Sequence, residues 1–346
     1  MDFPQSFSFT ITNACNLRCR MCGQWSEEGY VRADKKRLRH ELTIEDWKRL
    51  VDELAAHGST GLLLRGGEPF MFPGIIDLLE YIHSKGLFIS IDTNGTMLKR
   101  FASDIVRMER IHLTISMDGP EEIHDKVRGV KGTYKRIADG VAAIHAEEER
   151  QGHRISLSLN FTICAESYQY MAALPDVARN LGIGVVCIVP YYYFPENVGH
   201  AYEIEMKEQF GCPAYSWVGF HHELSGVDID IFKQQLRQYT SNLGEIYNFP
   251  YMPFTEEDYR QWFADATTPV YHEHCTNVEK LIDIQPDGQA NYCVDFPDFS
   301  FGNIKDTTIE QVWNSPQAEQ FREYRRKKPL GVCYRCGAKY MSEIGG

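Results

Sequence analysis

Short apolar runs alternate with amphipathic stretches over the first 190 residues. Phe7 to Ile11 reads as a strand. Thr43 then offers a helix N-cap with an acid, Asp46, three positions on. Trp47, Leu50, Val51 and Leu54 repeat at helical spacing, and Gly58 closes the element. Gly61 to Leu64 is a short buried strand. Ile75, Leu78, Leu79 and Ile82 mark the next helix, which Gly86 stops, and Leu87 to Ile91 is the strand after it. His112 to Ser116, Ile155 to Thr162 and Ile183 to Val189 supply three more strands, with helices over Thr133 to Ile144 and Tyr168 to Leu181. Six strands alternating with helices predict an α/β fold with a parallel sheet. Periodicity does not decide whether that sheet is open or curled into a partial barrel.

Residues 191–271 change character. Tyr191, Tyr192, Tyr193 and Phe194 open a stretch dense in aromatics, histidines and acids. It is too long for a simple loop, so helices are expected in it, one over Asp230 to Tyr239. The pattern then restarts with Leu281 to Ile284, the turn Pro286-Asp287-Gly288, and Gln289 to Val294, which suits a hairpin. Helices are expected over Thr308 to Trp313 and Gln317 to Arg326. The chain therefore divides into a strand–helix region at 1–190, an aromatic-rich insertion or linker at 191–271, and a small α+β region at 272–346.

The formal net charge of −12 argues against nonspecific binding to nucleic acid or anionic membranes, which leans on a lysine and arginine excess. The basic run Arg322 to Lys328 reads as a solvated helix face. No apolar run is long enough to span a bilayer, and the N-terminus lacks the regions of a signal peptide. Ten cysteines without a secretion signal point to metal or redox chemistry in a reducing, oxygen-poor cytoplasm.

Those cysteines are not scattered evenly. Cys15, Cys19 and Cys22 stand together just after the first strand, and Cys275, Cys293, Cys333 and Cys336 group near the C-terminus. Three thiolates are one short of the four that an iron–sulfur cube needs, which leaves one iron open for chemistry. A zinc site borrowing a distant ligand, or three unrelated core cysteines, is the plainer alternative.

In its cysteine spacing and position the loop Thr12-Asn13-Ala14-Cys15-Asn16-Leu17-Arg18-Cys19-Arg20-Met21-Cys22 resembles the radical SAM superfamily. One departure is Met21, where an aromatic residue usually stands; the resemblance implies that it packs near the adenine. Gly66-Gly67-Glu68-Pro69 ends the second strand and matches the family's glycine-glycine-glutamate turn, where glycines let backbone groups approach the methionine amine. Ser116-Met117-Asp118-Gly119 ends the fourth strand, where relatives place polar side chains on the SAM ribose; an ordinary helix N-cap by Ser116 or Asp118 is the alternative. Asn94 ends the third strand in the familiar place. Arg128 resembles the arginine that pairs with the SAM carboxylate, and Asn160 is a further SAM-pocket candidate. Most of these lie at strand C-terminal ends, where α/β barrels put active sites. The resemblance implies a partial (β/α)6 TIM-like barrel.

The second group, Cys275-x12-Gly288-x4-Cys293 followed by Cys333-x2-Cys336, resembles the C-terminal SPASM and Twitch extensions. A structural zinc site uses four cysteines too. A full SPASM domain would continue with more cysteines, and none follows Cys336, so one auxiliary 4Fe–4S cluster and a Twitch-like layout are expected. With all four irons ligated, that cluster would relay electrons. Cys164 and Cys187 are candidates for returning a hydrogen atom to a substrate, though small buried hydrophobes are commoner. His221-His222 and His272-Glu273-His274 could bind substrate or shuttle protons.

The resemblance implies two 4Fe–4S clusters and S-adenosylmethionine, which is cleaved to a 5′-deoxyadenosyl radical that abstracts hydrogen from a substrate C–H bond. It implies a reducing partner such as flavodoxin or ferredoxin, and a small-molecule or peptide substrate. Net two-electron oxidation, by dehydrogenation or crosslinking, is the expected outcome, with Asp295 as the base. A ribosomal-peptide maturase, a radical lyase or isomerase, and a non-catalytic electron carrier are the alternatives. An N-terminal peptide-binding module would have to be a separate protein, because only six residues precede the first strand.

Overall fold

The computed structural model describes residues 3–270 and 275–340. The triplet His272-Glu273-His274 and the residues from Met341 onward lie outside the described residues.

Six strands follow one another in parallel: β1 (Ser6–Thr12), β2 (Gly61–Gly66), β3 (Phe88–Thr93), β4 (Ile111–Ser116), β5 (Ser156–Ile163) and β6 (Val185–Pro190). Each agrees with its expected strand to within about two residues, the usual uncertainty of element ends. The sheet continues past both edges. β7 (Tyr247–Asn248) pairs with β6, and β8 (Leu281–Ile284) runs parallel to β1. β9 (Gln289–Asn291) and β10 (Gly302–Asn303) add antiparallel strands beyond it. The C-terminal hairpin is therefore built directly onto the first barrel strand, and one ten-stranded sheet results.

Side-chain parity explains the curl. Leu62 and Leu64, Ile89 and Ile91, Leu113 and Ile115, and Leu157 and Leu159 are buried in the core. Burying each is worth about 1.5–3 kcal/mol. The residues between them are mostly polar, and those of all six strands line one common cavity of about 730 Å³. A period of 2 with opposite polarity on the two faces is what a barrel wall requires.

The helices follow their end signals. Thr43 and Asp46 form a reciprocal capping box for Ile44–Ala56, whose Trp47, Leu50, Val51 and Leu54 are buried. Helices Leu98–Val106 and Glu121–Arg128 were not expected from the pattern. The helix begun at Thr133 runs on to Gln151, and the Tyr168 to Leu181 element is a 3₁₀ turn followed by helix Leu174–Asn180. The aromatic-rich stretch contains helices Glu196–Phe210, Ile229–Asn242 and Glu256–Ala264. The solvated-face expectation for Arg322 to Lys328 holds only in part: Arg326, Lys327 and Lys328 are exposed, but Arg322 and Arg325, in helix Pro316–Lys327, are buried.

Candidate active site

The three-cysteine loop leaves β1 at the mouth of the cavity. Trp25 Nε1 donates to the Asn13 carbonyl at 2.9 Å, which closes the loop on itself. The amides of Arg18 and Arg20 donate to the carbonyls of Arg128 and Val127, both at 3.1 Å. Cys15, Cys19 and Cys22 all line the cavity. Burial pushes the Cys15 thiol up to about 12, offset in part by the Leu17 amide and reinforced by Cys19 and Cys22. Burial pushes Cys22 up to about 11, with Cys19 adding to it. Three thiols so close and dry resist ionising unless a cation joins them, so the donor set fits a metal cluster.

Gly66 and Gly67 border the same cavity, but most of the room they leave is taken by the protein itself. A Cβ at Gly66 would stand 2.2 Å from the Thr12 carbonyl oxygen, and one at Gly67 2.3 Å from that of Ala14. The glycines thus seat the end of β2 against the cysteine loop. Glu68 is fully buried and does not line the cavity. It accepts from Thr93 Oγ1 at 2.8 Å, from the Asn94 amide at 2.8 Å and from the Phe70 amide at 3.2 Å. Asn94, so positioned, directs Nδ2 toward Cys15 Sγ at 3.9 Å.

Ser116 and Asn160 are register partners on β4 and β5, and both line the cavity. Asn160 Oδ1 is buried without a partner, as a ligand-binding group would be. Asp118 lies behind this wall, with no solvent exposure. Neither Ser116 nor Asp118 caps a helix, since Glu121–Arg128 starts after Pro120 without a side-chain cap. Asp118 instead grips Arg128 by two bonds, Nε to Oδ2 at 2.5 Å and Nη2 to Oδ1 at 3.0 Å. Burial opposes the Arg128 charge, but Asp118 and then Cys19 hold it firmly protonated. Its Nη1 reaches Cys19 Sγ at 3.8 Å. Met21 also lines the cavity.

Cys275, Cys293, Cys333 and Cys336 surround a second, small void. Four cysteines around one void fit a cube that gives each thiolate its own iron; a four-coordinate zinc would use the same donors.

Asp295 lines both the barrel cavity and this void. It is not the exposed carboxylate that is the common alternative to a base. Arg65 Nη2 donates to its Oδ1 at 2.8 Å, and Tyr192 Oη donates to its Oδ2 at 3.0 Å. The Ala338 amide, two residues past Cys336, donates to Tyr192 Oη at 3.2 Å. Burial works against the Arg65 charge, but Asp295, Asp283 and Asp92 outweigh it.

Arg65, Asp92 and Tyr192 were not picked out by sequence reasoning, nor was His112 on the same wall. For Arg65, Asp92 and His112 the signal was the alternation itself, a polar or charged residue at cavity-facing positions of otherwise apolar strands; Tyr192 lies past the end of β6 and carried no such signal. Of the isolated cysteines, Cys187 lines the cavity, whereas Cys164 is buried against Ser167. His221 and His222 lie outside the cavity wall, and His221 sits 3.3 Å from Glu223.

Comparison with known proteins agrees with this geometry. A sequence model of the radical SAM superfamily matches residues 9–155, and one of the SPASM iron–sulfur cluster-binding domain matches residues 275–337. The chain is 31% identical over 186 residues to the Fe-coproporphyrin III synthase of Methanosarcina barkeri, across 54% of this chain and 43% of that protein. It is 23% identical to the antilisterial bacteriocin subtilosin biosynthesis protein AlbA of Bacillus subtilis, across 99% of this chain and 69% of that one. In fold it resembles SuiB of Streptococcus suis, solved with the precursor peptide SuiA, at a TM-score of 0.64 and 14% identity; the match covers 98% of this chain and 72% of SuiB. A three-cysteine loop at the mouth of a parallel partial barrel, followed by a four-cysteine domain built onto its edge, places the chain in the radical SAM superfamily, with a C-terminal SPASM-type domain and the SAM-binding and auxiliary iron–sulfur clusters that these domains imply.

Proposed function

We propose that this chain catalyses a net two-electron oxidation of a substrate C–H bond, the substrate being a peptide. When bound, the clusters and SAM supply a 5′-deoxyadenosyl radical that removes one hydrogen atom and an acceptor for the one electron left on carbon. The remaining proton needs a base. The observation that carries the reading is Asp295, which borders the barrel cavity on one side and the four-cysteine void on the other.

Asp295 can take that proton without stranding a buried cation, because Asp92 and Asp283 still act on Arg65. Tyr192 and Arg65 hold the carboxylate in place meanwhile. At the other end of the cavity, Cys15, Cys19 and Cys22 would hold the SAM-binding cluster. Ser116, Asn160, Arg128, Met21 and the Gly66-Gly67 turn would contact SAM, with Glu68 and Asp118 positioning Asn94 and Arg128. The peptide assignment draws support from AlbA and SuiB, both aligned over nearly the whole chain.

The test is deuterium transfer. Reduced, anaerobically reconstituted protein with SAM is given either a perdeuterated peptide digest or a perdeuterated sugar mixture. Deuterium in the 5′-deoxyadenosine is expected from the peptide pool. Transfer from the sugars alone would overturn the substrate class. With a reactive peptide in hand, Asp295→Asn should lower oxidised product by about 10²-fold while 5′-deoxyadenosine still forms.

A further inference from the structure

Helix Pro316–Lys327 turns a cation toward the four-cysteine void. Arg325 is 6% exposed and is the one cation in the described wall of that void, among Cys275, Cys293, Cys333 and Cys336. Its Nη1 donates to the Lys328 carbonyl at 2.6 Å, while its Nε is buried with no partner. Its neighbours on the helix are neutralised: Arg322 pairs with Glu319 at 3.1 Å, and Arg326 with Glu279 at 2.7 Å. No carboxylate among the described residues forms an ion pair with Arg325. Asp295 shares the void, but Arg65 holds it at 2.8 Å. A buried guanidinium with no counterion is costly. Among the described residues, the charges that act on it most are the four cysteine thiolates.

The three-cysteine site is arranged the other way. Arg128 approaches Cys19, but its charge is already met by the bidentate ion pair with Asp118. Asn94, the side chain near Cys15, is neutral. Adding an electron to a cluster adds negative charge, and an unneutralised cation in a dry site stabilises the reduced form more than a neutralised one. We propose that Arg325 is the resident countercharge of the auxiliary cluster and raises its midpoint potential, so that the cluster takes up an electron more readily than its four thiolates alone would allow. This rests on the reading that the four cysteines hold an iron–sulfur cluster.

The test is an EPR-monitored redox titration of the full-length, anaerobically reconstituted protein. Arg325→Met should move the auxiliary midpoint to more negative potential and leave the three-cysteine cluster where it was; Arg325→Lys should move it less. An iron-replete Arg325→Met protein with an unmoved auxiliary midpoint overturns the inference alone. Zinc in the four-cysteine site overturns the underlying reading and the inference with it. Should Arg325→Met fail to hold iron, the same question is put to protein labelled with ¹⁵N-arginine and carrying Cys15→Ala, Cys19→Ala and Cys22→Ala, where only the auxiliary cluster remains. Pulsed EPR of its reduced state should show nitrogen coupling, and its absence overturns the inference.

Discussion

Glu68 touches no part of the cavity, yet three donors converge on its two oxygens. Burial pushes its carboxyl up to about 7 even against those bonds. Glu68→Gln would turn an amide N–H₂ toward one of the donors. It should destabilise the fold by about 2 kcal/mol in chemical denaturation, the cost of a buried unmatched donor. His124 gives a pH dependence. Burial lowers it from 6.5 to about 4, against Asp118, which raises it. The folded state therefore holds neutral His124, and between those values the unfolded chain binds more protons. The stability from His124 is present above pH 6.5 and lost as pH falls toward 4, on the order of 3 kcal/mol in all. His124→Asn should flatten that part of a Tm-against-pH curve. At this scale the sequence motifs located the strand-end residues, but not which of them face the cavity. Asp118 and Glu68 lie one layer back because Arg128 and Asn94 occupy the wall. Arg325 was unreadable for a different reason: a basic helix end ordinarily faces water, and nothing local reveals four cysteines folded over it.

Among elements, helix Glu121–Arg128 does the most to hold the cysteine loop, and it is one the apolar pattern did not reveal. Only Ile123 and Val127 are apolar in it, so no stripe stands out. Its last carbonyls take the Arg18 and Arg20 amides, and Gly129 ends it at φ 71°. A Cβ on Gly129 would lie 2.4 Å from the Arg18 carbonyl oxygen. Gly129→Ala should therefore loosen the loop and shed iron from the three-cysteine site selectively, read as faster iron loss to a chelator with the auxiliary EPR signal retained. The strands were more legible because each is a short apolar run, and in β3 and β4 burial on one face alternates with polarity on the other. That alternation did not decide between an open sheet and a barrel; only the fold shows that Ser90, Asp92, His112 and Thr114 converge on one cavity.

Across the whole molecule, the continuous sheet matters most. Because β8 pairs with β1 in register from Ser6↔Leu281 to Phe9↔Ile284, the four-cysteine region is fixed to the barrel strand that feeds the three-cysteine loop. Distance between the two sites is thus set by sheet geometry and not by a linker. No periodicity argument could place that pairing, which joins residues some 270 positions apart. Metal analysis should find about eight irons per chain, four at each site; four irons with one zinc would remove the electron relay and leave radical initiation intact.

The central claim is that the three-cysteine loop starts the chemistry and the four-cysteine site serves it afterwards. Mass-spectrometric quantitation of 5′-deoxyadenosine from reduced, reconstituted protein with SAM tests this most directly. Wild type and Cys333→Ala should both form it, and Cys19→Ala should form none. Formation by Cys19→Ala, or its absence from iron-replete wild type, would contradict the account.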